Sequence, residues 1–193
     1  MVDRRDEIKL VELLRQGDPD AFDRLYEAYR PRVFGFLARL CGRRDVAEDL
    51  LQETWIRLAT RAATLRAGAP LGPWIFTVAR NLYLSWRRWR LLDSERVAEM
   101  MRVNPDLPDA QSPFEHAAAS ETERTLEKAL ASLPLRYREV LLLMAVEGMS
   151  HEEAAGVLEL KPDALRKRLS RARGMLEKRL SKQTAPAESE APA

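Results

Sequence analysis

The sequence predicts an all-α protein: two small helical domains joined by an acidic flexible linker, the C-terminal one containing a helix-turn-helix. Three observations carry that expectation. Apolar residues recur at helical spacing over most of the 193 residues, and no alternating strand pattern or internal repeat stands out. Gly is only 8 of 193 while Leu, Ala, Arg and Glu dominate, a balance that suits helices and leaves few β-turns. Periodicity lapses between Asp93 and Glu121, where Pro105, Pro108 and Pro113 fall. At 46% hydrophobic and 32% charged residues, the chain can pack a core and is not globally disordered.

Taken in order, residues 8–14 read as a short helix stopped by Gly17-Asp18-Pro19. Phe22, Leu25, Tyr26, Tyr29, Val33, Phe34, Leu37 and Leu40 then mark a helix over 20–40, which Pro31 is expected to kink or split. A helix over 45–59 turns Val46, Leu50 and Leu58 inward, and a loop follows over 62–73 with two Gly and two Pro. A long helix over 74–92 closes the first domain, 1–92, which holds all four Trp. Residues 93–113 form the linker; over 93–127 there are nine acids and three Arg, a net of −6. The second domain, 114–182, is expected to begin with a helix near Ser112 or Phe114. The tail, 183–193, is Ala, Pro, Glu and Ser with nothing to bury, and is expected to be disordered.

Several function classes are disfavoured. One cysteine, Cys41, excludes an intramolecular disulfide framework and sits in an apolar run as a small core residue. His116 and His151 are too isolated for a metal cluster, and there is no Gly-rich phosphate loop or nucleophile elbow. No catalytic residue, cofactor or metal is expected. The longest apolar run, 140–146, is far short of a membrane span, and residues 1–9 are charged with no signal-peptide core. A soluble, cytoplasmic protein is the expectation.

In the second domain Pro134 suits the first turn of a helix running to Glu147 and ending at Gly148. Ser150-His151-Glu152-Glu153 is a capping box that opens a short helix ending near Leu158. The turn Glu159-Leu160-Lys161-Pro162 leads to a long helix whose apolar stripe is Leu165, Leu169, Ala172, Leu176 and Leu180. Lys167, Ser170, Arg171 and Lys178 lie opposite, with Arg166, Arg168 and Arg173 on the flanks. Residues 161–182 contain nine basic and two acidic residues, a net of +7. Helix, tight turn and basic helix is an arrangement that reads duplex DNA, and phosphate contact relieves the self-repulsion. A solvated basic surface helix is the plain alternative.

The first domain carries two further patterns. Asp45, Glu48, Asp49, Gln52 and Glu53 share one helical face with no basic residue among them and a local net of −4. Such a face is repelled by DNA and fits a basic protein partner, or is simply solvated. On the helix over 74–92, Ile75, Val78, Ala79, Leu82, Trp86 and Trp89 form the expected inward stripe, while Thr77, Arg80, Asn81, Leu84, Arg87 and Arg88 face away. The same stretch holds Arg80, Arg87, Arg88 and Arg90 and no acid. Aromatic planes beside guanidinium groups suit single-stranded nucleic acid, with Trp74 and Tyr83, off the stripe, as the stacking candidates.

These residues in this order resemble the extracytoplasmic-function (ECF) class of bacterial RNA polymerase sigma factors, within the sigma-70 family. Residues 45–57, DVAEDLLQETWIR, look like its core-polymerase-binding helix. Residues 74–82, WIFTVARNL, followed by Trp86-Arg87-Arg88, resemble its promoter-melting and minus-ten-reading helix. Residues 133–141, LPLRYREVL, with 152–155 and 168–173, resemble its minus-thirty-five-reading module. The resemblance spans about 20–180 and leaves the linker and tail unmatched. The family usually has Asp where Ser85 stands, Gly where Glu159 stands, Thr where Ala164 stands and a small Ser where Lys167 stands. Because Glu159 carries a Cβ, a turn that avoids a strained φ is expected there.

The resemblance implies a transcription initiation factor rather than an enzyme. Asp45, Glu48, Asp49, Gln52 and Glu53 would dock on the clamp of the largest subunit of core RNA polymerase. Trp74, Arg80, Asn81, Tyr83, Arg87 and Arg88 would hold the melted minus-ten strand, with the 62–73 loop pocketing a flipped base. Lys161, Arg166, Lys167, Arg168, Ser170, Arg171 and Arg173 would contact minus-thirty-five duplex DNA. The implied partners are core RNA polymerase, promoter DNA and an anti-sigma factor. A helix-turn-helix regulator acting alone on duplex DNA, or a polymerase-binding adaptor, remains the competing reading.

Overall fold

A computed structural model describes residues 4–101 and 120–184, and these are helical throughout apart from short turns. The expected linker beyond Met101, the helix start near Ser112 or Phe114 and the tail from 185 lie outside the described residues. The chain divides into two compact units, Met1–Pro113 with Gly156–Glu159, and Phe114–Ala155 with Leu160–Ala193. Among the described residues, no helix is long and apolar enough to cross a membrane.

The first unit begins with α1 (Arg4–Arg15), whose buried face is Glu7, Leu10, Val11 and Leu14. Gly17 ends it at φ +86°, a conformation that costs glycine no Cβ clash. Asp18 then caps α2 (Pro19–Cys41), its Oδ1 accepting from Ala21 N at 3.1 Å, with Pro19 pre-set in the first turn. The three residues read as a stop signal thus close one helix and open the next. Of the expected kink or split at Pro31, the split does not occur: α2 runs unbroken through it. Its ring is exposed, and the buried flank of Tyr29, Val33, Phe36 and Leu37 outweighs the roughly 3 kcal/mol a mid-helix proline costs.

Helix α3 (Arg44–Arg61) buries Val46, Leu50 and Leu58 as expected, and also Ala47, Leu51, Thr54 and Trp55. A 3-10 turn, Ala62–Thr64, starts the following loop, and Leu65 anchors it in the core. Helix α4 (Leu71–Met101) begins three residues earlier than the expected 74 and runs nine residues past 92. The extension has a simple cause: residues 93–101 contain neither Pro nor Gly, and the first helix breaker comes at Pro105. Phe36 of α2 and Phe76 of α4 meet edge to face at 5.3 Å in the centre of the unit. Cys41 is half-buried at the end of α2 rather than in the core; burial raises its thiol's pKa and its Sγ donates to Arg43 O at 3.1 Å.

The second unit opens with α5 (Glu121–Ala131), started by a reciprocal capping box between Ser120 and Glu123. Pro134 caps α6 (Leu135–Leu141), and the expected helix to Glu147 changes to a π turn over Leu142–Val146. The cause is packing: Val140, Leu141, Leu142 and Leu143 are all buried, more consecutive positions than one α-helical stripe covers. Gly148 at φ +67° ends the run. Ser150 and Glu153 then form the expected box, Ser150 N donating to Glu153 Oε2 at 3.0 Å and Glu153 N to Ser150 Oγ at 3.2 Å.

Helix α7 (His151–Leu158) ends in a left-handed turn, with Glu159 N donating to Gly156 O at 3.2 Å and Leu160 N to Ala155 O at 2.9 Å. This overturns the expectation of an unstrained turn: Glu159 takes φ 55°, and no other non-glycine residue among those described has a positive φ. The paired end bonds require a left-handed residue at that position whatever its side chain. Glu159→Gly is therefore expected to raise the stability of the helix-turn-helix by about 0.5–1 kcal/mol. That is the relief of a conformation costing about 1–2 kcal/mol, less the entropy glycine adds to the unfolded chain. A thermal melt should rise by a few degrees; an unchanged or lower Tm would show that Glu159 carries no strain.

Candidate functional site

Three surfaces hold the residues singled out in the sequence. The first is the exposed side of α3. Asp45, Glu48, Asp49 and Gln52 are exposed and Glu53 is half-buried, all on one face. The local count of −4 misjudged the field, because the arginines just outside that window fold back onto it. Arg43 grips Asp45 with two nitrogens and holds its carboxyl below the usual range by hydrogen bonding. Arg44 Nε lies 2.9 Å from Glu48 Oε1, and Arg57 Nε lies 3.0 Å from Glu53 Oε1. Asp49 makes no ion pair among the described residues and is the uncompensated charge of the face.

Beside it lies a feature the sequence reading missed, an open groove of about 690 Å³ between α2 and α3. Phe22, Tyr26, Trp55 and Ile56 give it an apolar floor, and Glu48 and Gln52 stand on its rim. Tyr26 and Trp55 rings meet at 4.8 Å and Phe22 meets Trp55 edge-on at 5.9 Å. Trp55 Nε1 is buried in this cluster without an acceptor among the described residues. The available signal was Ile56, an apolar residue one turn after Gln52 and 48% exposed in the structure.

The second surface is the outward side of α4. Asn81, Arg87 and Arg88 are exposed, Trp74 and Arg80 are half-buried, and Arg88 Nη2 donates to Ser85 Oγ at 3.4 Å. Two aromatic assignments are corrected here. Tyr83 is 6% exposed and belongs to the core, whereas Trp89, expected inward, is 64% exposed. The buried stripe is Ile75, Phe76, Ala79, Leu82 and Tyr83, rotated by about one position from the expected one because Phe76 packs on Phe36. Val78 and Trp86 are only half-buried on its edges, so the rotation carries Trp89 out into solvent.

A buried carboxylate fixes where α4 starts. Glu7 Oε1 accepts from Leu71 N at 2.6 Å, from Gly72 N at 3.3 Å and from Tyr29 Oη at 2.8 Å. It caps α4 from another helix and places an anion at its positive end. Burial and the Glu7 charge push the Tyr29 hydroxyl's pKa well above the phenol range, so it stays a donor. Gly72 eases the approach, since a Cβ there would lie a tight 3.2 Å from Tyr29 Oη and push the ring back by a few tenths of an ångström.

The third surface is α8 (Pro162–Thr184). Leu165, Leu169 and Ala172 are buried, Leu176 and Leu180 half-buried, as the stripe requires. Lys161, Arg166, Lys167, Ser170, Arg171 and Arg173 are exposed, and Arg168 is half-buried. Arg166 pairs with Asp163 one turn earlier, leaving Lys167, Ser170 and Arg171 as the open ridge. Short capped helix, tight turn and basic helix stand in the order that a major-groove reader needs.

Comparison with known proteins agrees with this geometry. Residues 25–90 match sigma-70 region 2 and residues 123–176 match sigma-70 region 4. The RNA polymerase sigma factor CarQ of Myxococcus xanthus is 33% identical over 162 residues, covering 83% of this chain and 90% of its own. The RNA polymerase sigma-H factor of Pseudomonas aeruginosa is 29% identical over 186 residues, covering 93% and 96%. Among solved structures, CnrH in complex with the cytosolic domain of CnrY shares the fold at a TM-score of 0.68 and 21% identity, covering 94% of this chain and 100% of that one. The sigma factor RpoE in complex with the anti-sigma factor NepR from Bartonella quintana gives 0.66 at 25% identity, covering 85% and 98%. With acidic, aromatic-basic and helix-turn-helix surfaces in this order on matching regions, the chain belongs to the sigma-70 family of transcription initiation factors, in its ECF class.

Proposed function

We propose a division of labour among the three surfaces. Asp49 and Gln52, with Asp45, Glu48 and Glu53 around them, dock on the clamp of the largest polymerase subunit, and the groove beside them takes an apolar side chain of the same partner. Docking is then apolar at its centre and electrostatic at one uncompensated acid, the usual anatomy of a specific interface. The polymerase supplies the catalysis, and this chain makes or breaks no bond. It works in the cytoplasm, where polymerase and promoter DNA are, and an anti-sigma factor restrains it by covering these surfaces.

Helix α8 reads the minus-thirty-five duplex. Lys167 and Arg171 reach guanine O6 and N7 from the open ridge, while Lys161, Arg166, Arg168, Ser170 and Arg173 hold phosphates. Helix α4 holds the melted minus-ten strand through Arg80, Asn81, Arg87 and Arg88 beside Trp74, and the loop of 62–73, shortened to 62–70 by the earlier start of α4, receives a flipped base. The observation that supports this reading is that one chain carries an exposed acidic face on α3, with Asp49 uncompensated, together with two separate arginine-rich helices, α4 and α8. A regulator acting alone on duplex DNA uses only α8 and leaves the first unit idle.

Replacing Lys167 and Arg171 together by Ala is expected to weaken minus-thirty-five binding by about 1–3 kcal/mol for each base that is no longer read. Promoter-dependent transcription falls accordingly, while binding to core polymerase is unchanged. Wild-type transcription from a cognate promoter by that double variant would remove α8 as the reader.

A further inference from the structure

We infer that Trp89 is a base-stacking residue for the melted promoter strand, an inference that rests on the reading of α4 as the strand-holding helix. Trp89 is 64% exposed, the largest exposure of any large hydrophobic side chain among the described residues. Its aromatic neighbours on α4 are engaged: Tyr83 and Trp86 rings lie 6.0 Å apart, and Arg90 sits 5.1 Å over the Trp86 ring. Trp89 has neither ring nor guanidinium against it among the described residues. It presents an open indole face.

The surroundings choose the occupant. Asn81, Ser85, Arg88 and Trp89 stand at i, i+4, i+7 and i+8, so they share one side of the helix. Between Trp74 and Leu92 there are four arginines and no acid, and Ser85 keeps the middle of this side uncharged. An acidic or apolar protein partner needs no amide at Asn81 and no hydroxyl at Ser85. A single strand uses all of them: guanidinium for phosphate, amide and hydroxyl for base edges, indole for an unstacked base. Trp89 lies two helical turns beyond Asn81, about 12 Å along the axis at 1.5 Å per residue. Stacking there engages a nucleotide two to four positions along the strand from the one met by Asn81.

The test uses the full chain assembled with core polymerase and a pool of fluorescein-labelled, random-sequence single-stranded DNA 16-mers. Stacking is sequence-tolerant, so the promoter need not be known. Trp89→Ala is expected to weaken binding about tenfold at every salt concentration, leaving the slope of log affinity against log salt unchanged, and Trp89→Phe to keep most of the affinity. Arg87→Ala and Arg88→Ala should instead each lower that slope by about 0.7. Unchanged affinity in Trp89→Ala, while the arginine variants weaken binding, would overturn the inference alone. Arginine variants that also change nothing would take the α4 reading with it. A Trp89→Ala chain that loses core polymerase instead would make this a protein contact and equally overturn the inference.

Discussion

Glu7→Ala is expected to cost the first unit about 3 kcal/mol and to lower its Tm by roughly 15 °C. Three donors lose one buried acceptor at once: Leu71 N, Gly72 N and Tyr29 Oη. The two amides are then left without a partner where water does not easily reach, while Tyr29 keeps only its hydrogen bond with Arg32, and an unpaired buried group costs about 1–3 kcal/mol. Glu7→Gln keeps a carbonyl oxygen and should lose about half as much. Asp6, whose 3.8 Å pairing with Lys9 is exposed, is the internal control, and Asp6→Ala should leave Tm unchanged. The consequence reaches function, because the capped amides begin the helix that carries Arg80, Asn81, Arg87 and Arg88. A Glu7→Ala chain melting with the wild type would show that α4 starts without this carboxylate.

Reversing charge at Asp49 and Glu53 together, both to Lys, is expected to weaken core polymerase binding at least about 30-fold, or about 2 kcal/mol. Asp49 carries most of it, since Asp45, Glu48 and Glu53 already share their charge with Arg43, Arg44 and Arg57. Folding should survive: Asp49 is exposed, and Glu53→Lys sets a like charge beside Arg57 at a cost of only about 0.5 kcal/mol. The check is co-purification with core enzyme beside a circular dichroism melt. Retained co-purification by a folded variant would remove this face from the docking surface.

Most of the helix boundaries were legible because each was written in short-range chemistry. Gly17-Asp18-Pro19 and Ser150 to Glu153 are local signals, and the structure uses both. Ser120-Glu121-Thr122-Glu123 is the same signal as the second, unread in the sequence and present in the fold. What periodicity did not supply was phase. On α4 the choice between Phe76 and Val78 as the inward residue decides whether Trp89 is core or surface, and only the contact with Phe36 of α2 settles it. The left-handed Glu159 was hidden for another reason: a glutamate does not advertise the positive φ that the end of α7 imposes.

The candidate surfaces divide in the same way. The basic ridge of α8 could be placed from the sequence because one amphipathic helix defines both its buried and its open side. The groove over Phe22, Tyr26 and Trp55 could not, since it is made by two helices whose packing no single stripe encodes. Glu7 and Leu71 are 64 residues apart in sequence, so their bond left no local trace. Nor did the charge count over 45–53 include the arginines that answer it from just outside.

Whether this chain directs core polymerase to promoters is tested most directly by transcription in vitro. Purified chain is mixed with sigma-free core RNA polymerase on a pool of genomic promoter fragments, and the transcript start sites are mapped. Transcripts are expected from a discrete set of fragments that share minus-thirty-five and minus-ten elements, appearing only when both components are present. Duplex binding by the chain alone over a palindromic site, with no transcripts, would contradict this role in favour of a free-standing regulator. Stable binding to core enzyme without initiation would contradict it in favour of an adaptor.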